Sequence, residues 1–128
     1  MAGALSIGTA AALAISMLTG SGATQDVDET RAGRVGGAAA AVRVVDARSV
    51  HVWNETFRGG ELAIVSISGD GDTDLDLYVY DRNGNLIERS ISLGDDETVS
   101  WVPAWTGRHR SVIENLGLVR NQYAIVTN

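Results

Sequence analysis

The stretch Gly69-Asp70-Gly71-Asp72-Thr73-Asp74-Leu75-Asp76-Leu77-Tyr78-Val79-Tyr80-Asp81, followed by Arg82-Asn83-Gly84-Asn85, decides how the rest of this chain is read. Between Asp74 and Asp81, acidic or aromatic residues alternate with Leu75, Leu77 and Val79. Successive side chains of a strand point to opposite faces. The three aliphatics therefore share one face, and Asp74, Asp76, Tyr78 and Tyr80 share the other. Such alternation predicts an antiparallel strand with one buried face. Asn83-Gly84 supplies residues that tolerate positive φ, so a tight hairpin is predicted, with residues 86–91 as its return arm.

The spacing of Asp70, Asp72, Asp74 and Asp76 is the chemical oddity. On an extended chain, residues two apart lie about 7 Å from each other. Two unit charges at that distance repel by about 0.6 kcal/mol in water and by about 2.4 kcal/mol at an effective dielectric of about 20. A half-buried row therefore needs an offset: a cation, an arginine, or N–H groups of the glycine turn. Calcium suits the donor type, because it takes six to eight oxygens from carboxylates and carbonyls. The EF-hand template does not fit, since its glycine position falls on Leu75 counting from Asp70 and on Leu77 counting from Asp72. Two alternatives stand: aspartates that make Asx turns and face water, and a calcium site drawn from Asp70, Asp72, Asp74 and Asp76.

Outward from the hairpin, short strands recur at the spacing of an all-β sandwich. They are predicted over residues 42–46, 50–57, 61–68, 97–102, 108–114 and 118–127, with turns at Arg58-Gly59-Gly60, Gly94-Asp95-Asp96 and Asn115-Leu116-Gly117. Ala63, Val65 and Ile67 are expected to point inward, and His51 toward solvent. Trp101 and Trp105 flank Pro103 and are expected in core and corner packing. Arg108 and Arg110 are expected on a solvated edge that discourages strand addition.

The hairpin resembles the signature of the bacterial pre-peptidase C-terminal domain family, whose Asp-x-Asp-Leu-Asp-Leu-Tyr-like strand is matched by Asp72-Thr73-Asp74-Leu75-Asp76-Leu77-Tyr78. Trp105-Thr106-Gly107 and the closing Asn121-Gln122-Tyr123-Ala124-Ile125 match two further marks in order. His109 and Ser111 depart from it, standing where the family has apolar residues. The resemblance covers roughly residues 50–128. It implies an antiparallel, jelly-roll-like β-sandwich appended to exported enzymes, non-catalytic, with some relatives binding polysaccharide or matrix protein and some assisted by calcium.

The N-terminal half of the organisation is compositional. Residues 1–23 carry no charge, and residues 4–18 form an apolar run of the length of a signal-peptide core, ending in Ser21-Gly22-Ala23. No Lys or Arg follows Met1, which fits a start lying upstream. Residues 1–23 are expected to be a signal peptide, 24–41 a Gly- and Ala-rich flexible linker with room for a short helix through the alanines, and 42–128 the sandwich. The expected location is secreted, periplasmic or cell-envelope.

The chain has 128 residues, a net charge of −6 and no cysteine. These exclude a disulfide framework, a thiolate metal site and a cysteine nucleophile, and they argue against nucleic acid or an anionic membrane surface as partner. No Gly-x-Ser-x-Gly elbow and no His-Glu-x-x-His helix is present, and His51 and His109 are the only histidines. No catalytic residue is therefore assigned. Tyr78 and Tyr80 are the candidate ligand-binding pair, able to present flat, rigid area to a sugar ring or a peptide, or else to pack across strands. The function expected is a secreted, non-catalytic binding domain for a surface polysaccharide or extracellular protein, with calcium as an assisting ion. The alternative is a structural envelope or assembly module.

Overall fold

The computed structural model describes residues 33–128. The expected signal peptide and the first part of the expected linker lie outside the described residues. Eight strands follow: β1 Ala39–Val45, β2 Val50–Phe57, β3 Ala63–Ser68, β4 Leu75–Asp81, β5 Leu86–Ser90, β6 Asp96–Trp101, β7 Gly107–Asn115 and β8 Asn121–Thr127. They form two four-stranded antiparallel sheets, in the orders β1-β8-β3-β6 and β2-β7-β4-β5. This is an all-β sandwich with jelly-roll connectivity, since the chain crosses between sheets at nearly every turn.

The predicted hairpin is β4–β5. Gly84 takes φ 84°, and the Asp81 carboxylate closes the turn by accepting from the backbone N–H groups of Asn83 (2.8 Å) and Asn85 (2.9 Å) and from Asn85 Nδ2 (3.0 Å). The pairing slips between Val79 and Tyr80: Val79 faces Glu88 but Tyr80 faces Leu86, so the return strand carries one extra residue. Leu75, Leu77 and Val79 are fully buried, as the alternation requires. Ala63, Val65 and Ile67 meet them from the opposite sheet, with Val45, Phe57, Val99, Ile113, Tyr123 and Ile125 completing the core. Burying a leucine of this kind contributes about 1.5–3 kcal/mol.

Four expectations are corrected. The alanines of the expected linker belong to strand β1, which begins at Ala39 because Ala39, Ala40 and Ala41 pair with Thr127, Val126 and Ile125. The preceding residues are pinned too: Arg34 N–H donates to Asn128 O (3.0 Å), Val35 N–H to Thr56 O (2.7 Å) and Arg58 N–H to Gly33 O (2.6 Å). Arg108 and Arg110 do not lie on a sheet edge, because β7 is flanked on both sides, by β2 and β4. His51 does not point freely to solvent: its Nδ1 hydrogen-bonds Tyr123 Oη at 2.7 Å, on the inward row of β2 with Trp53. Trp105 is not packed in a corner but is 66% exposed.

The departure at His109 and Ser111 is absorbed by the core. Both are buried on the inward row of β7. His109 meets the rings of Phe57 and Trp101 at centroid distances of 5.7 and 5.3 Å, and its Nδ1–H donates to Gly107 O at 3.0 Å. The imidazole thus takes the place of an apolar side chain while keeping a polar partner.

Candidate functional site

Three regions draw on the residues singled out by the sequence. The acidic turn lies at one end of the sandwich and is held from both sides. Asn121, fully buried, accepts from Asp70 N–H (3.1 Å) and donates to Thr73 Oγ1 (3.1 Å) and Asp95 Oδ2 (2.9 Å). Asp95 Oδ2 also accepts from Gly71 N–H at 2.6 Å. Asp70 spends both oxygens inside the protein: Oδ1 accepts from Asp72 N–H (3.0 Å) as an Asx turn, and Oδ2 from Gln122 N–H (2.9 Å). Asp72 is exposed.

Asp74 and Asp76 differ from these. Each has a buried Oδ1 with no hydrogen-bond partner. Asp76 is 6% exposed and stands directly across from Glu114 on β7. Its carboxyl is pushed up to about 6, first by burial and then by the charges of Asp74, Glu97 and Glu114, with a long 3.5 Å contact from Tyr78 Oη pulling the other way. Asp74 is raised as well, by burial and by the charges of Glu97 and Asp95. Glu97 is itself buried and satisfied by the hydroxyls of Ser90 and Ser92 and by the Ser92 N–H. The four aspartates expected as calcium ligands do not converge. Among the described residues, no three His, Asp or Glu gather closely enough to hold a metal ion. Asp70 is already occupied, Asp72 faces solvent, and Asp74 and Asp76 contribute the two buried oxygens without a partner.

The second region is the outer face of the β2-β7-β4-β5 sheet. The registers set out its rows: Val52, Val112, Tyr78 and Arg89 in one, and Asn54, Arg110, Tyr80 and Leu86 in the next. Tyr78 and Tyr80 stack with centroids 6.5 Å apart and planes 23° from parallel, and the Arg110 guanidinium lies over the Tyr80 ring at 5.3 Å. Val50 and Val52 continue the face at 52% and 51% exposure. An outer sheet face is ordinarily polar, so a stacked aromatic pair beside bare valines stands out.

The third region was not anticipated. A pocket of about 310 Å³ opens where the β4–β5 turn meets the β6–β7 loop, lined by Trp101, Trp105, His109, Arg82 and Arg108 among others. The tryptophans and arginines were visible in the sequence, but their meeting depends on β5 and β6 lying at the edges of opposite sheets.

No protein-family model matches the chain, and no curated protein sequence matches it. Solved structures share its fold. The chain is similar to the pre-peptidase C-terminal domain of collagenase from Bacillus anthracis, at 6% identity and a TM-score of 0.57, over 70% of this chain and 88% of that one. It is similar to Aeromonas hydrophila PliG, a periplasmic inhibitor of g-type lysozyme, at 8% identity and a TM-score of 0.54, over 71% and 84%. It is also similar to the Yersinia pseudotuberculosis-derived mitogen, at 11% identity and a TM-score of 0.54, over 72% and 85%. At these identities the likeness is one of fold: the chain is an all-β sandwich, and its resemblance to the pre-peptidase C-terminal domains holds at that level.

Proposed function

We propose that the chain is an exported, non-catalytic binding module that engages a surface polysaccharide or an extracellular protein through the outer face of its β2-β7-β4-β5 sheet. The observation that carries this is the stacked Tyr78–Tyr80 pair, flanked by Val112 and Arg110 on an otherwise open sheet. Two near-parallel rings on a strand offer flat contact area at low entropic cost, and Arg110 adds a charged donor beside them. The fold is shared by a periplasmic inhibitor and a mitogen, so it does not presuppose catalytic chemistry. The export element of the proposal rests on the apolar run of residues 4–18.

Calcium assistance rests on Asp74 Oδ1 and Asp76 Oδ1, the two buried carboxylate oxygens without partners among the described residues. Two oxygens fall short of the six to eight that calcium takes, so carbonyls and water would have to complete the shell.

The test is retention of the protein on insoluble polysaccharides and on collagen resin, compared with the Tyr78→Ala/Tyr80→Ala variant. Retention lost in the variant, with its unfolding temperature preserved, supports the proposal. A wild-type protein that is retained on none of these, or a variant retained equally, refutes it. A structural assembly role is the second reading, favoured by the other sheet, whose outward residues, among them Ala40, Val42, Val44, Ala124, Val126 and Ile64, are uncharged except for Asp96 at the end of β6. Self-association on size exclusion without retention would favour that role.

A further inference from the structure

The pocket at the hairpin end has the character of a second, independent site. Its most exposed large hydrophobic residue is Trp105, yet the backbone around Trp105 is fixed. Gly60 N–H donates to Pro103 O at 2.8 Å, and Gly59 N–H donates to Thr106 Oγ1 at 3.0 Å. A Cβ on Gly59 would collide with the Trp105 backbone, so the β2–β3 turn presses directly on this loop. An indole that is 66% exposed on a pinned loop presents a rigid apolar plane to whatever enters beside it.

The polar groups around that plane are unequally supplied with partners. Trp101 Nε1 is buried and donates to nothing. Arg82 and Arg108 are exposed, and among the described residues neither side chain forms an ion pair or hydrogen bond. Asp81, the carboxylate beside them, already accepts three hydrogen bonds from Asn83 and Asn85, which hold its carboxyl below the usual carboxylate range. His109 donates from Nδ1 to Gly107 O, and a ring singly protonated there accepts at Nε2. The pocket therefore has spare donors, two of them cationic, one spare acceptor, and an aromatic plane. Its complement is a ring compound with an apolar face, an anionic acceptor and hydroxyl groups. At about 310 Å³ it stands at the small end of ligand sites, with room for a single ring.

We propose that this pocket binds a carboxylate-bearing sugar residue of the uronic-acid class, its ring against Trp105 and its carboxylate toward Arg82 and Arg108. The site does not depend on the Tyr78–Tyr80 face, and neither tyrosine lines it. The whole chain carries a net charge of −6, so the two arginines make this corner a local exception that favours an anion where the remainder repels one.

The test is calorimetric titration of the full chain with an oligogalacturonate, beside the same oligomer with its carboxyls methyl-esterified. Saturable binding of the acid is expected. The ester should bind about tenfold or more weaker, the loss produced by removing a charge-assisted hydrogen bond. Arg108→Ala and Trp105→Ala should each weaken the acid by a similar factor. Both side chains are exposed, so thermal unfolding near the wild-type temperature is expected and checks that they fold. Tyr78→Ala/Tyr80→Ala should leave this titration unchanged even where it abolishes resin retention. Equal binding of acid and ester overturns the proposal, as does no saturable binding of the acid by the wild-type protein. Binding of a short peptide through its free C-terminal carboxylate, with none of the sugar, overturns it in favour of a peptide site.

Discussion

Replacing Asp76 by asparagine should stabilise this protein near neutral pH, although it alters a buried residue in the middle of a strand. The Asp76 carboxyl has its pKa raised from 3.8 to about 6 by burial and by the charges of Asp74, Glu97 and Glu114. Below pH 3.8 it is protonated in both folded and unfolded chains and costs nothing. As the pH climbs, the unfolded chain ionises first. Folding stability is then lost progressively until the folded group ionises as well, near pH 6. Taken at face value, that difference is about 3 kcal/mol. Solvent screening close to the sheet surface brings it nearer to about 1 kcal/mol. For a domain of this size, about 1 kcal/mol corresponds to about 4–8 °C in unfolding temperature.

Asparagine keeps the shape and has no charge to lose. Asp76→Asn should therefore unfold about 4–8 °C above the wild type at about pH 8, and close to it at about pH 4. The assay is thermal unfolding across that range in excess EDTA. Asp74 is raised in the same sense and Asp81 lowered in the opposite one, so the difference between the two proteins is the quantity to follow. A variant less stable than the wild type at the upper pH refutes the reasoning, and so does a difference that does not change with pH. Repeating the series in millimolar calcium tests the ion at the same atoms. A bound ion at about 100 times its dissociation constant would stabilise the wild type by about 2.7 kcal/mol and reverse the order of the two proteins. No rise in the wild type would remove calcium from the proposed function.

Two other substitutions probe what holds the sandwich. Asn115 is 1% exposed, donates from Nδ2 to the carbonyls of Val45, Asp46 and Val119, and accepts from Gly117 N–H through Oδ1. Asn115→Ala would strand these backbone groups and should cost about 2–4 kcal/mol in denaturant unfolding, whereas an unchanged midpoint would show that water replaces the amide. Tyr123 Oη bonds Trp53 Nε1 at 2.9 Å and His51 Nδ1 at 2.7 Å. Tyr123→Phe should cost about 1 kcal/mol. Combined with Trp53→Phe it should cost less than the sum of the two single changes, and simple additivity would argue against the bond.

Legibility followed the range of the interactions. The alternation in β4 was read correctly because each side chain's face depends on its own position along the strand, and Asn83-Gly84 announced the turn through its own backbone preferences. His51 was misplaced for a related reason. Val50 and Val52 flank it, and an aliphatic pair ordinarily marks the inner row, yet here the inner row is His51, Trp53 and Phe57. What turned the strand over was a partner 72 residues away, Tyr123, whose hydroxyl satisfies both His51 and Trp53. Trp105 was misjudged because an indole two residues from a proline was read as packing, whereas the loop that carries it lies against the Gly59 backbone with the ring outside. In the acidic row, sequence spacing showed the repulsion but not its distribution. Both Asp70 oxygens accept from backbone donors, while Asp74 and Asp76 keep bare oxygens and feel the charge of Glu97, and Asp76 also that of Glu114, arriving from other strands.

The class of fold, the β4–β5 hairpin, the inward rows of β3 and β4 and the lack of a recognisable catalytic motif were all legible from local residue patterns. These follow from the two-residue period of a strand, the φ preferences of Asn-Gly and the inventory of side chains, all of them local properties. The rest came from long-range packing. Of the six strand pairings in the two sheets, β4–β5 alone joins neighbours in sequence, while the other five join strands separated by other elements. Such pairings depend on how the buried faces of distant segments fit one another, which no window of the sequence contains. The open tyrosine face and the tryptophan–arginine pocket both arise from those distant pairings, so both became visible only in the folded sandwich.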